Sequence, residues 1–428
     1  MHDMDEMLFF AKNPWKQGRI PEPPKLNRSL FDPFEEDLQR PEILILLGAR
    51  QTGKTTLLLE MARRAITRGI CLPENLYYFD LDTMRCQDVL ASNRSLMDFL
   101  KLGPEDGGAP RRLVLIDEIQ RLDNPGLFLK SVYDLHLPIK IAVTGSSTLE
   151  IRSRVRESLA GRSIRHFLWP LTLEECRGTD FEAIDTHLQL GGFPAVVVEE
   201  SDVRRHSLLA NLLASYLDRD IVEFLRVENV RGFNAFLQLL AGQTGQLVNL
   251  NELANTLALS RDTLSRYLAY LENTFMVRLL RPFLGNRRGE LTKMPKVYFA
   301  DLGLRNLLAG RLTARLTPAD RGPLLENLVE ILLRLDPRTE DLFFWRTRGG
   351  AEVDFVWRVR GGDLFAVEVK GSPFSRPSVP RSLSAFIKSY HPKRAALVAP
   401  GASGEAMCNG TPVLFLPPER VTSIAQTT

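Results

Sequence analysis

The segment that most restricts this chain is Ile43 to Thr55, ILILLGARQTGKT. The apolar run Ile43 to Leu47 has no polar face to offer water, which predicts a strand covered on both sides within a parallel sheet. The residues that follow, Gly48-Ala49-Arg50-Gln51-Thr52-Gly53-Lys54-Thr55, fit G-x-x-x-x-G-K-[ST] without deviation, and TLLLEMARRA then opens a helix. In that setting small residues let successive backbone N–H groups converge on phosphate oxygens, and the helix N-terminus adds partial positive charge. The motif therefore predicts a phosphate cradle running from Gly48 to Thr56, with Lys54 reaching the terminal phosphates and Thr55 holding Mg²⁺.

A second element fits the first. Leu113-Val114-Leu115-Ile116 reads as another buried strand, and its end delivers Asp117 and Glu118 to the edge where parallel sheets bind ligands. Asp117 is expected on Mg²⁺, and Glu118 is expected to orient and deprotonate water. The second acid favours ATP hydrolysis over phosphoryl transfer to another substrate. Further strands are expected at 76–81, 139–144 and 164–169, alternating with helical stretches. The strand at 139–144 leads into Gly145-Ser146-Ser147. The strand order with its Asp117-Glu118 pair resembles AAA-type and related ATPases. That resemblance implies that Ser146 or Ser147 contacts the γ-phosphate or the attacking water, with a plain turn as the competing reading. The Arg-rich stretch 150–165 contains Arg162 after a glycine, the arginine best placed to steady transition-state charge, in cis or from a neighbouring subunit. A solvated basic face is the alternative.

These residues resemble a large group of prokaryotic AAA-type ATP-binding proteins that carry a C-terminal domain of unknown function. The resemblance rests on GARQTGKTTLL, LVLIDEIQ, VTGSST, the LAGR segment, Gly191-Gly192-Phe193-Pro194 and Tyr298-Phe299-Ala300-Asp301-Leu302-Gly303-Leu304, and spans about 41 to 417. It implies ATP and Mg²⁺ as ligands. The last two motifs carry no known chemistry.

The prolines between 11 and 41 predict an irregular leader that packs on the first domain or links to it. Beyond Leu171 the apolar spacing turns helical, near 172–190, 203–225 and 231–242. Leu250 to Leu271 then reads as two short helices with a turn near Ala258 to Ser260, followed by a strand at 278–283, which resembles a winged helix. On that reading helix 261–272 meets a DNA groove with Arg261 and Arg266. Over 261–321 there are twelve Lys or Arg against five Asp or Glu, with Arg281, Arg287, Arg288, Lys293 and Lys296 around the wing. Arg287 and Arg288 join the candidate contacts to DNA or RNA phosphate. A packing role for the winged helix is the alternative.

The C-terminal third offers a different constellation: Glu326 on a helix, Asp354 in EVDFVW, and Glu368 with Lys370 in VEVK. Residues i and i+2 of a strand share a face, so Glu368 and Lys370 project together, and a hairpin turning at Gly361-Gly362 would bring Asp354 beside them. The order helix, three strands, helix, strands resembles the PD-(D/E)xK nuclease fold. The resemblance implies a metal shell of Glu326, Asp354 and Glu368 for Mg²⁺ or Mn²⁺, with Lys370 acting on the attacking water. A salt-bridged Glu368–Lys370 pair on a solvated strand is the alternative.

The expected fold class is α/β: a leader at 1–40, a P-loop sheet of the AAA type at 41–172, a helical and winged-helix module at 173–290, and a nuclease-like α/β domain at 291–428. Composition agrees with a folded chain. Of its 428 residues 44% are hydrophobic and 25% charged, and the net charge is only +3. The cysteines at 71, 86, 176 and 408 form no metal-binding spacing, and no apolar run approaches the roughly 20 residues of a membrane span. A cytoplasmic, ATP-hydrolysing protein follows as the expectation, with ATP-regulated nucleic-acid binding or metal-dependent cleavage as its output. An ATP-driven switch or scaffold that binds protein partners and a DNA-binding regulator are the rivals. An oligomer is compatible with each.

Overall fold

The computed structural model describes residues 6–83, 88–102, 111–145, 159–216, 229–284, 293–313, 315–373 and 378–426. Two compact units are present. Unit 1 comprises Met1–Leu171 and Phe193–Val198; unit 2 comprises Thr172–Gly192 and Glu199–Thr428.

Unit 1 is built on five parallel strands: β1 (Ile43–Gly48), β2 (Leu76–Asp80), β3 (Arg112–Asp117), β4 (Ile139–Gly145) and β5 (Ser163–Leu168), in the order β2-β3-β4-β1-β5. Every residue of β1 is buried, as its unbroken apolar run requires. Helix Lys54–Thr67 covers the sheet with Leu57, Leu58, Met61, Ala62 and Ala65.

The leader is more ordered than its prolines suggest. Helix Phe31–Asp37 contains Pro33 in its first turn, where the missing N–H has no intrahelical partner to lose. Trp15, Phe31, Phe34 and Leu38 are buried in the core of the sheet, and full burial of such side chains contributes roughly 1.5–3 kcal/mol each. Asn13 satisfies the outer edge of the sheet. Its amide donates to Tyr78 O at 3.0 Å and its carbonyl accepts from Tyr78 N at 2.8 Å, occupying backbone groups that an edge strand would otherwise expose.

Unit 2 is a mixed eight-stranded sheet with helices. Its strands are β6 (Val277–Pro282), β7 (Lys296–Phe299), β8 (Thr339–Arg346), β9 (Glu352–Val359), β10 (Leu364–Val369), β11 (Arg394–Val398), β12 (Glu405–Cys408) and β13 (Thr411–Leu416), ordered β12-β13-β11-β10-β9-β8-β6-β7. Helix Pro318–Leu335 packs within the core that holds Phe344, Phe355 and Trp357, and helix Arg381–Tyr390 within the core that holds Phe343, Trp345 and Val356. Alternate residues of β8 and β9 thus fall into two cores, as strand pleating dictates.

Three expectations need correction. Residues 172–190 do not form one helix: Gly178 takes a left-handed φ of +79°, Thr179 caps a short turn, and helix begins only at Ile184. The strand read as the wing is β6, which pairs antiparallel with β7 and also parallel with β8 through Arg281↔Phe343 and Pro282↔Phe344, so it belongs to the eight-stranded sheet. A boundary at 290 would therefore divide one continuous sheet.

The two motifs without assigned chemistry meet in unit 2. Asp301 caps helix Leu302–Leu308 through Leu304 N at 2.9 Å and also accepts from Gly192 N at 2.7 Å. A Cβ on Gly191 would lie 2.3 Å from the Asp301 carboxylate, and one on Gly303 would lie 2.2 Å from Leu190 O. The glycines are there because two backbone segments touch. Burial lifts the Asp301 carboxyl to about 6.

Candidate functional site

The glycine-rich turn of unit 1 joins the C-terminal end of β1 to helix Lys54–Thr67. Gly48 admits no side chain: a Cβ would lie 2.2 Å from Leu168 O. Gly53 caps the helix at φ 96°, and Gln51 also takes a left-handed φ of 57°. Thr52 Oγ1 donates to Ala49 O at 2.9 Å, and the buried Arg28 of the leader donates to Thr52 O at 2.8 Å. Lys54 folds over the turn, with Nζ 2.8 Å from Ala49 O and 3.2 Å from Gly48 O.

Asp117 and Glu118 lie at the end of β3. Thr55 Oγ1 donates to Asp117 Oδ2 at 2.6 Å, so the cradle and the β3 acid are joined directly. Tyr78 Oη donates to the same oxygen at 3.0 Å, and the Thr144 hydroxyl donates to Asp117 Oδ1. Thr144 Oγ1 also accepts from Glu118 N at 3.0 Å. Glu118 has φ 57° and ψ 49°, a left-handed turn that sets its side chain apart from the strand. Gln120 donates to the Glu118 carboxylate. Burial, helped by the charge of Asp117, pushes the Tyr78 phenol far above its ordinary value, so it remains a donor.

These oxygens suit a magnesium ion. A hydroxyl and a carboxylate converge, the charge is held by hard donors, and the partners of Asp117 are neutral hydroxyls. Beside the cradle lies a cavity of about 240 Å³ with Leu26, Phe31, Leu171, Pro194 and Val198 on its apolar side and Gly53 and Thr56 at the phosphate end. Its walls come from the leader and from the short return of the chain at 193–198. Neither segment has a part in the site as read from the sequence.

Arg162 lies elsewhere. β5 runs parallel to β1 with Ser163 opposite Ile43 and Leu168 opposite Gly48, and Ile43 N donates to Arg162 O. Arg162 therefore sits at the opposite end of the sheet from the cradle, roughly 20 Å away at about 3.3 Å per residue. Its guanidinium pairs with Asp134 at 2.8 Å. A role in cis is not available to it. Ser146 and Ser147 lie outside the described residues, and the polar β4 side chain seen at the site is Thr144. Its signal was present in the sequence, as the polar end of an apolar strand.

In unit 2 the structure brings together Glu326, Asp354, Glu368 and Lys370, and adds Lys296, Tyr298 and Glu352. β10 pairs with β9 with Val367 opposite Phe355, and Asp354 accepts from Val369 N at 2.7 Å. Lys370 Nζ lies 2.8 Å from Glu368 Oε1. Gly371 passes so close to helix Pro318–Leu335 that a Cβ would lie 2.7 Å from Gly322 Cα. Tyr298 Oη donates to Glu326 at 2.6 Å.

Lys296 stands between the acids. Its Nζ is 3.0 Å from Glu326, 2.6 Å from Glu352 and 4.0 Å from Asp354, and its side chain is 4% exposed. Burial opposes its charge, yet Glu326, Asp354 and Glu352 outweigh that and hold the ammonium above its ordinary value. Withdrawal from water, with Glu326 and Glu368 nearby, raises Asp354 well above the usual carboxylate range. Withdrawal from water also raises Glu368. Of the acids that a divalent ion would need, Glu326 already faces an ammonium, which Glu352 also contacts, and Asp354 lies 4.0 Å from it. Among the described residues no group of three or more His, Cys, Asp or Glu is set to hold a metal.

The basic patch also changes character. Arg278, Lys296 and Arg305 are buried; Arg278 pairs with Glu330 at 3.0 Å. Arg261 and Arg266 are exposed on helix Arg261–Asn273, whose other face buries Leu264, Tyr267, Leu268 and Leu271. Arg287 and Arg288 lie outside the described residues.

The parallel sheet, its glycine-rich turn and the Thr55–Asp117 pair define a P-loop nucleotide-binding domain. Residues 40–177 match the model of the AAA domain, so unit 1 carries an AAA-type P-loop domain. Residues 181–315 and 321–417 match two domains of unknown function, DUF8612 and DUF4143. An uncharacterized protein of Mycobacterium tuberculosis is 29% identical over 375 residues, 85% of this chain and 78% of that protein. One of Haemophilus influenzae is 28% identical over 309 residues, 68% and 74% of the two chains. Among solved structures, Aeropyrum pernix ORC1 in complex with DNA is 16% identical with a TM-score of 0.29, covering 68% of this chain and 94% of that one. AMPPCP-bound DnaA from Aquifex aeolicus is 15% identical with a TM-score of 0.27, covering 58% and 88%. No helix among the described residues is long and apolar enough to cross a membrane.

Proposed function

We propose that unit 1 binds MgATP and hydrolyses it. The observation that carries this reading is the 2.6 Å bond between Thr55 of the cradle and Asp117 of β3, with Glu118 turned out of the strand beside it. The backbone N–H groups of the turn and the first turn of helix Lys54–Thr67 receive the phosphates. Lys54 exchanges Gly48 O and Ala49 O for phosphate oxygens. Thr55 and Asp117 would hold Mg²⁺, which supplies charge neutralisation on the phosphates when bound. Glu118 orients water and takes its proton, and Thr144 fixes the peptide that presents Glu118. The apolar cavity lined by Phe31, Pro194 and Val198 suits the base.

Phosphate release by the full chain tests this. Lys54→Ala and Glu118→Gln are each expected to lower turnover by roughly 10²–10⁴-fold, and Glu118→Gln to retain ATP binding. Undiminished turnover in either would overturn the assignment.

A second reading concerns unit 2, as a nucleic-acid-binding platform rather than a cleaving one. It is favoured by the exposure of Arg261 and Arg266 on the outer side of helix Arg261–Asn273. Binding of labelled DNA or RNA followed by anisotropy should weaken as salt rises and weaken further in the Arg261→Ala, Arg266→Ala double variant. No binding at low salt would leave the protein-partner switch as the surviving reading.

A further inference from the structure

The acid cluster of unit 2 has the element order and side chains of a metal-dependent nuclease, yet its centre is filled from within. Lys296 Nζ contacts Glu326 at 3.0 Å and Glu352 at 2.6 Å, and reaches Asp354 at 4.0 Å. Tyr298, two residues along the same strand, donates to Glu326 as well. The ammonium is not a loose surface group. Its side chain is 4% exposed; β7 is paired to β6 on one side, and Lys296 is bridged to Leu247. Lys370, the lysine that a nuclease would aim at water, is held 2.8 Å from Glu368.

We infer that Lys296 is the resident cation of this cluster, so that the nuclease-like fold of unit 2 takes no divalent ion there and cuts no nucleic acid by metal chemistry. Charge and geometry lead to the same place. A magnesium ion requires near-octahedral oxygens at about 2.0–2.1 Å, and an oxygen each of Glu326 and Glu352 already contacts an ammonium. A metal that displaced Lys296 would have to break its contacts to Glu326 and Glu352 and leave its ammonium to find new partners. Lys296, Glu326, Glu352, Asp354, Glu368 and Lys370 all belong to unit 2, so the inference stands or falls apart from the ATPase reading.

The test is Mn²⁺ binding to the nucleotide-free full chain, by calorimetry and by the free-ion spin-resonance signal. Wild type and Asp354→Asn should give the same isotherm, because no site at Asp354 exists to lose. Lys296→Gln should gain one Mn²⁺ site at least tenfold tighter than any in the wild type, and Lys296→Gln with Asp354→Asn should lose it again. A wild-type Mn²⁺ site abolished by Asp354→Asn would overturn the inference. So would Mn²⁺-dependent DNA cleavage abolished by that variant, or a folded Lys296→Gln protein that gains no site. If Lys296→Gln does not fold, the wild-type comparison decides alone: an Asp354-dependent rise in melting temperature with Mn²⁺ refutes the proposal, and none supports it.

Discussion

Asp117 in unit 1 and Asp354 in unit 2 each stand near the edge of a sheet among groups that suggest a cation, but their surroundings differ in kind. Asp117 receives three hydroxyls, from Thr55, Tyr78 and Thr144, none of which carries charge. Asp354 lies 4.0 Å from Lys296, an ammonium that also bonds Glu326 and Glu352. Neutral donors fix a carboxylate and leave its charge to be answered by an ion. On our inference, an internal ammonium stands where that ion would be. Two constellations that look alike as lists of residues are therefore opposite as sites, and the contrast can be broken by experiment.

The largest expected effect is on turnover. Asp117→Asn should lower Mg²⁺-dependent ATP hydrolysis about 100-fold or more, since it removes the carboxylate that would hold Mg²⁺ at the phosphates. Asp354→Asn should leave it within about twofold. Equal losses in a phosphate-release assay would mean that the two acids serve one reaction and would end the comparison.

Stability should invert that order. Lys296→Met removes one partner of a buried ionic cluster, and such losses cost about 3–5 kcal/mol. In unit 1, Tyr78→Phe removes one hydrogen bond to Asp117 and should cost only about 1 kcal/mol. Urea unfolding, followed separately in each unit by its own tryptophans, measures both.

Unit 1 was largely legible in the sequence because its signals are local. An unbroken apolar run specifies a buried strand, and the glycines and Lys54 of the cradle lie within a few residues of one another. The place of Arg162 was legible as well. A residue just ahead of a strand in a parallel sheet lies at the edge where strands begin, whereas the cradle follows the end of β1. The glycine before Arg162 drew the reading away from that geometry. What escaped was set by pairing between distant segments. Tyr78 meets Asp117 only because β2 pairs with β3, and Arg28 reaches Thr52 only because the leader folds back. The basic region misled for a related reason. Counting charge over 261–321 treats Arg278 and Lys296 as surface cations, whereas each is buried against acids beyond 321. In the C-terminal third, Glu326, Asp354, Glu368 and Lys370 were each recognisable, but Lys296 alters their meaning, and it lies outside the motif. The pairing of Lys296 and Tyr298 at i and i+2 in KVYF was the one available signal.

A smaller effect sharpens the role of Tyr78. If it only steadies the Asp117 carboxylate, Tyr78→Phe should raise the Mg²⁺ concentration for half-maximal turnover severalfold and leave the rate at saturating Mg²⁺ nearly unchanged. A fall in the saturating rate with no change in Mg²⁺ requirement would show that the phenol acts on something other than Asp117.

The smallest effect extends the contrast to lysine itself. Lys140 of unit 1 is buried like Lys296, but its Nζ lies 2.8, 2.9 and 2.6 Å from the backbone carbonyl oxygens of Asp37, Arg40 and Glu42. With dipoles rather than carboxylates in direct contact, burial prevails, and Arg111 adds to it: Lys140 falls to about 7, whereas its acids carry Lys296 above its ordinary value. The signs of the pH dependence follow. Between about 7 and 10.5 the unfolded chain holds a proton on Lys140 that the folded chain has released, so Lys140 contributes increasing stability as pH rises, by at most about 1.4 kcal/mol per unit. Lys296 keeps its proton in both states until pH approaches 10.5, so its contribution is constant over the same range. Measured between pH 7.5 and 9.5, the stability gap between wild type and Lys140→Met should move in favour of the wild type, and the gap to Lys296→Met should stay level. Parallel slopes for the two variants would mean that the carbonyls shelter an ammonium as well as carboxylates do, and the distinction between the two units would fail at its simplest point.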